Sequence, residues 1–165
     1  MAILHKKSLG QNFLKDNLFL EKIINSSGIE NSNNVIEIGP GDGALTEHIL
    51  EKTQNLTAYE IDKGLVDLLS KKFDKHNANF INKDFLKIDL SQINQSPLII
   101  MGNLPYNVSS QIILNILESD IEYEHCVFLI QKELAYRFRP KNKSSKISLI
   151  AELFCDFEIL FDIPP

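Results

Sequence analysis

Carboxylates stand at or beside the ends of three short apolar runs: Glu37 and Asp42 in Val35-Ile36-Glu37-Ile38-Gly39-Pro40-Gly41-Asp42-Gly43-Ala44, Glu60 after Leu56-Thr57-Ala58-Tyr59, and Asp84 in Asn82-Lys83-Asp84-Phe85. The first segment reads as a strand, a glycine-rich turn and a helix start. Glycines there let the backbone pass close to a nucleotide-like ligand, and a carboxylate ending the next strand, Glu60, can take both ribose hydroxyls. Asp84, after a third strand, is placed to accept a hydrogen bond from an adenine exocyclic amine. Gly39, Gly41 and Ala44 also fit the dinucleotide fingerprint G-x-G-x-x-G/A, so the turn alone leaves the ligand open. A pyrophosphate wants backbone N–H groups and no nearby anion, yet Glu37 and Asp42 flank this turn. A zwitterion carrying a sulfonium and an ammonium tolerates such neighbours far better than NAD does.

A fourth element follows another apolar run: Gly102-Asn103-Leu104-Pro105-Tyr106-Asn107. Proline fixes its own φ and restricts Leu104, so the turn can hold the Asn103 amide and the Leu104 carbonyl in one orientation. Two acceptors aimed at one exocyclic amine would hold it for in-line attack, and Tyr106 offers a face on which a base can stack. Standing alone, the same residues would read as an Asn-Pro turn beside a half-buried tyrosine.

Positioning these groups requires an α/β framework. The hydrophobic pattern alternates between strand-like runs at 34–38, 56–60, 78–81, 98–101 and 127–131 and helical runs with apolar residues three and four apart. Leu65, Leu68 and Leu69 follow Asp62, and Ile112, Ile113, Ile116 and Leu117 follow Ser109, which makes Asp62 and Ser109 the expected N-caps. An amphipathic helix is expected over 16–24, and a helix over 146–154 leading into a strand around 155–161. Such alternation predicts one domain with a mostly parallel sheet whose strands all end on one ligand-binding edge.

With 165 residues, 44% hydrophobic and 24% charged, the chain fits one soluble domain, and no apolar run approaches the roughly 18 residues of a membrane span. No secretory signal is visible, so a cytoplasmic location is expected. Cys126 and Cys155 have no metal-ligand spacing and read as core thiols; the four histidines are scattered, and no metal is expected. The net charge of -5 argues mildly against nucleic acid, but Lys132, Arg137, Arg139, Lys141, Lys143 and Lys146 fall in one stretch interrupted only by Glu133. On charge alone that stretch is a solvated loop or a phosphate-binding patch.

With these motifs in this order, the chain resembles the ribosomal RNA adenine-N6 dimethyltransferases. Asn103-Leu104-Pro105-Tyr106 matches the fourth motif of amino methyltransferases of the Asn/Asp-Pro-Pro-Tyr type. Lys7-Ser8-Leu9-Gly10-Gln11-Asn12-Phe13-Leu14 is similar to the family's N-terminal motif, residues 37–46 to its glycine-rich motif, and Gln131-Lys132-Glu133 to its tripeptide after the fifth strand. The resemblance implies a Rossmann-like class I methyltransferase fold, with helices on both faces of the sheet, that uses S-adenosylmethionine (SAM). Asn12, Leu14, Gly39, Gly41, Glu60, Asp84 and Asn103 become the cofactor contacts and Asn103, Leu104, Pro105 and Tyr106 the catalytic loop. The basic residues from Lys132 to Lys146 then become RNA contacts.

Gly10-Gln11, Asn-Leu-Pro-Tyr and Gln-Lys-Glu resemble the bacterial housekeeping branch of the family. It forms two adjacent N6,N6-dimethyladenosines in the loop of the 3′-terminal hairpin of 16S rRNA. The resemblance implies a small-subunit precursor particle as partner and a monomer when full length. The macrolide-resistance branch, acting on large-subunit rRNA, more often carries Asn-Ile-Pro-Tyr; a non-catalytic ribosome-assembly factor is the rival from another class. Two departures stand out. Ser144-Ser145-Lys146-Ile147-Ser148 replaces the usual Tyr-Gly-Arg-Leu-Ser, and the chain stops at Ile163-Pro164-Pro165 where the family continues, so a catalytic domain without its last strand and small helical domain is expected.

Overall fold

The structure, a computed structural model, describes residues 16–138 and 146–163. Its five strands are β1 (Asn34–Ile38), β2 (Asn55–Glu60), β3 (Ala78–Asn82), β4 (Leu98–Asn103) and β5 (His125–Leu129). The helices are α1 (Asn17–Ser27), α2 (Ala44–Leu50), α3 (Lys63–Lys72), α4 (Ser109–Leu117), α5 (Lys132–Phe138) and α6 (Lys146–Phe154), with single 3-10 turns at Phe85–Lys87 and Leu90–Gln92. The strands form one parallel sheet in the order β3-β2-β1-β4-β5.

Strand periodicity divides the core into two layers, because successive side chains point to opposite faces. Ile36, Ile38, Leu98 and Ile100 pack with Ile112 and Ile116 of α4, Leu134 and Phe138 of α5 and Ala151 of α6. Val35, Leu56, Ile99 and Met101 pack instead with Ile23 of α1, Ile49 of α2 and Leu69 of α3. Among the described residues, three helices therefore cover each face. Leu98 to Met101 are all buried, and each such side chain contributes about 1.5–3 kcal/mol by leaving water, so β4 is firmly held just before the residues of interest. At its end Gly102 is required by proximity: a Cβ there would lie 2.4 Å from the Ile38 carbonyl oxygen of the neighbouring strand.

The helix starts follow local chemistry in two cases and depart from expectation in a third. Asp16 accepts a hydrogen bond from the Leu18 N–H and Asp62 from that of Gly64, capping α1 and α3. Ser109 is not an N-cap. The cap position of α4 is Val108, which makes no side-chain cap, because the Pro105 carbonyl takes the N–H groups of both Val108 and Ser109 and starts the helix from the turn itself.

β5 begins two residues before the expected run and ends at Leu129. Its ladder with β4 pairs Ile99 with His125 and Asn103 with Leu129, so the polar start belongs to the strand although the apolar signal begins later. Residues 132–138, read as part of a basic stretch and, at Lys132 and Glu133, of the tripeptide after the fifth strand, form α5 because Leu134 and Phe138, four apart, bury one side of a turn. Residues 155–161 join no ladder among the described residues. Cys155 and Phe157 pack on the α4–α6 layer, with the Phe157 ring stacked on Phe138 at 5.4 Å, whereas Phe161 and Ile163 pack on the α1–α3 layer. The segment thus passes around the sheet instead of pairing with it, despite strand-like alternation of half-buried and exposed residues. Both cysteines are free thiols packed against the α4–α6 layer, and burial pushes both pKa values up, which makes them poor nucleophiles.

Candidate active site

β1 is followed by a helix on one face and β4 by a helix on the other, so their connections diverge and leave a crevice at the switch in strand order. A cavity of about 200 Å³ occupies this place. Its wall includes Gly39, Gly41, Glu60, Asp84, Asn103, Leu104 and Pro105, which brings together every described residue assigned to the cofactor and all of the catalytic loop except Tyr106. Tyr106 stands outside the lining, 44% exposed. Asn12 and Leu14 lie outside the described residues.

The glycine turn is shaped by three left-handed residues, Gly39, Gly41 and Gly43, with φ of 69, 62 and 86°. Gly43 is also fixed by packing, since a Cβ there would come within 2.7 Å of Leu69 and 2.9 Å of Phe73. The turn is tied to β2 by two hydrogen bonds: the Gly39 N–H donates to the Tyr59 carbonyl at 2.9 Å and the Gly41 N–H to Glu60 Oε2 at 3.2 Å. Glu60 Oε1 accepts from the Asp62 N–H at 2.9 Å. Each Glu60 oxygen retains acceptor capacity, and burial raises the pKa of this carboxyl in spite of these bonds. Asp84 Oδ1 caps the Phe85–Lys87 turn through the Leu86 N–H at 3.1 Å, and Oδ2 lies 3.7 Å from Lys87 Nζ.

Glu37 corrects the electrostatic argument made from sequence. Only 1% exposed, it accepts a 2.7 Å hydrogen bond from the Thr46 hydroxyl, and burial pushes its pKa to about 8. Burial thus favours its protonated form, and the other carboxylates that line the crevice are Asp42, Glu60 and Asp84.

The loop that follows β4 is held at both ends. The Leu104 side chain is 1% exposed in the core and its N–H donates to the Leu129 carbonyl at 3.0 Å, while the Pro105 carbonyl is committed to α4. The Leu104 carbonyl accepts no backbone hydrogen bond among the described residues.

Several wall residues were not foreseen. Tyr59 and Phe85 meet edge to face at 5.6 Å, and Ile61, Leu86 and Asn107 also line the cavity. Ile61, exposed directly after Glu60, had a signal in its position; Tyr59 and Phe85 are brought together only by the parallel pairing of β2 with β3.

The basic residues are less uniform than their sequence suggests. Lys132 is ion-paired with Asp162, whose carboxylate raises the lysine pKa. Arg137 is exposed near the end of α5, and Lys146 opens α6. Arg139, Lys141 and Lys143 lie outside the described residues. No cluster of metal-ligating side chains and no helix long and apolar enough to cross a membrane occurs among the described residues.

The family model described as ribosomal RNA adenine dimethylase matches residues 3–165. The chain is 40% identical over 168 residues to the ribosomal RNA small subunit methyltransferase A of Alkaliphilus metalliredigens, covering 96% of this chain and 58% of that protein. For the protein of the same name from Mycoplasmopsis pulmonis the identity is 38% over 161 residues, with 96% and 63% covered. The chain thus spans about three fifths of the length of these curated relatives. A dimethyladenosine transferase from Plasmodium falciparum matches with a TM-score of 0.77 at 26% identity, over 88% of this chain and 54% of that one. The 23S rRNA methyltransferase ErmE matches with a TM-score of 0.69 at 31% identity, over 76% and 50%. Strand order, crevice and these likenesses agree on the Rossmann-like class I methyltransferase fold, and the chain belongs to the ribosomal RNA adenine dimethylase family.

Proposed function

We propose that this chain is the SAM-binding catalytic domain of an enzyme that dimethylates N6 of two adjacent adenosines in the 3′-terminal hairpin loop of 16S rRNA. It would act in the cytoplasm on a small-subunit precursor particle. The observation that carries the reading is the convergence of Gly39, Glu60, Asp84 and Asn103, from four successive strand ends, on one crevice whose wall continues into Leu104 and Pro105. The residues present fit SAM. Left-handed glycines open the turn to close approach, Glu60 offers acceptors for ribose hydroxyls, Asp84 an acceptor for an amine, and the acidic surroundings suit a cationic ligand better than a pyrophosphate. Bound SAM supplies a methyl group already activated on a sulfonium. The protein's task is then orientation: Asn103 and the Leu104 carbonyl accept from the target amine and free its lone pair, and Tyr106 stacks on the base at the rim.

Calorimetry is expected to show SAM binding and no NADH binding. NADH heat without SAM heat would return the turn to the dinucleotide reading. Mass spectrometry of both rRNAs after incubation with the protein and SAM then locates the product. The 31% identity to ErmE favours one alternative, methylation of large-subunit rRNA, and product on that subunit would replace the present assignment.

For the basic stretch, Arg137 and Arg139 are assigned to RNA phosphates. Reversing both to Glu is expected to weaken RNA binding and flatten its salt dependence while SAM affinity is unchanged. An unchanged salt slope would make the stretch a solvated surface.

A further inference from the structure

The loop from Gly102 to Val108 runs along the crevice with one interruption, Tyr106. Leu104 packs into the core and also meets the wall, Tyr106 faces solvent, and Asn103, Pro105 and Asn107 all line the crevice. Asn103 and the Leu104 carbonyl are assigned to the target amine. Asn107 has no assignment, and the fold does not use it: its side chain makes no hydrogen bond among the described residues. Nor does it cap α4, whose cap position is Val108. An asparagine just before a helix ordinarily bonds a nearby backbone group. Here the amide is exposed, lines the crevice and adjoins the tyrosine on which the base is expected to stack.

We propose that Asn107 is a positioning residue for the target base, its amide N–H donating to the ring nitrogen next to the amine-bearing carbon of adenine. The proposal rests on the adenine-methylation reading above. Its chemistry is complementary to that reading. Acceptors for the exocyclic amine leave the adjacent ring nitrogen, itself an acceptor, in need of a donor, and a neutral amide supplies one without adding charge beside the cationic ligand. Hydrogen bonds to the amine alone let the base pivot about it; a further one to the ring, from the same wall two residues beyond Pro105, fixes the in-plane angle that in-line transfer requires.

The test is a chemical double-mutant cycle with RNA carrying adenosine, 1-deazaadenosine or 7-deazaadenosine at the methylated position, using the wild-type protein and Asn107→Ala. Loss of one oriented hydrogen bond corresponds to roughly tenfold in kcat/KM. The wild type is expected to lose about that factor on the 1-deaza RNA and little on the 7-deaza RNA. Asn107→Ala is expected to lose a similar factor on ordinary RNA, to be indifferent to the 1-deaza change, and to bind SAM in calorimetry as the wild type does. Equal sensitivity of both proteins to the 1-deaza change, or a fall in SAM affinity that accounts for the variant's loss, would overturn the proposal. Wild type that methylates no adenosine of ordinary RNA would refute the parent reading instead, and the proposal would fall with it.

Discussion

Asn103→Ala is expected to lower the methylation rate by on the order of 10²–10³, the cost typical of removing one oriented polar group from a reacting site. The residue ends β4, whose four preceding apolar side chains are buried, and Gly102 beside it admits no Cβ, so the backbone at this point has little freedom to relax into a substitute arrangement. Leu104 is anchored in the core and to the Leu129 carbonyl, which holds the second acceptor in place when the first is removed. The variant therefore keeps the loop and loses the amide, which is the comparison required. Asn103 also lines the crevice assigned to SAM, so SAM affinity has to be measured alongside the rate. A rate within about threefold of wild type would mean that the motif shapes the loop and does not orient the amine.

The sheet was legible because its period-two pattern is physically obligatory: β1 spans the residues expected, and β2, β3 and β4 differ from expectation by one or two residues at their ends. The errors share a cause. His125 opens β5 although it is polar, because its ring bonds the Ser27 carbonyl of α1, a partner 98 residues away. Residues 155–163 alternate like a strand, yet strand identity depends on a partner, and alternation reports only that one side is packed. The strand-end residues Glu60, Asp84 and Asn103 were legible because a parallel sheet delivers them to one edge whatever else happens. Tyr59, Phe85 and Asn107 were not, since their places on the wall depend on how β2, β3 and the start of α4 approach one another. The burial of Glu37 was likewise hidden: a sequence shows an acidic residue, while burial pushes its pKa up.

That burial leads to the second large effect. Glu37 is ordinary in the unfolded chain, near 4.5, and is raised to about 8 in the folded protein by desolvation, with Glu60 adding repulsion and the Thr46 hydroxyl opposing both. Between these values the unfolded chain gives up a proton that the native state keeps, so native stability falls as pH rises through this window and levels off above it. At about 1.4 kcal/mol for each unit, the effect is on the order of 5 kcal/mol. Glu37→Gln keeps the shape and an acceptor for Thr46 but does not ionise. Urea unfolding is therefore expected to find the two proteins nearly equal at about pH 4.5 and the variant more stable by several kcal/mol at about pH 8.5. Burial raises Glu60 too, and its contribution has the same sign in both proteins, so it largely cancels in the difference. Parallel pH profiles would show that Glu37 is ionised in the native state, and the acidic character of the crevice would then include it. Glu37 lines the crevice, so a cationic ligand bound there favours its carboxylate. Saturating SAM is accordingly expected to stabilise the wild type more than the variant at high pH and to narrow the gap between them. A gap that SAM leaves unchanged would place the positive charge of the ligand away from β1.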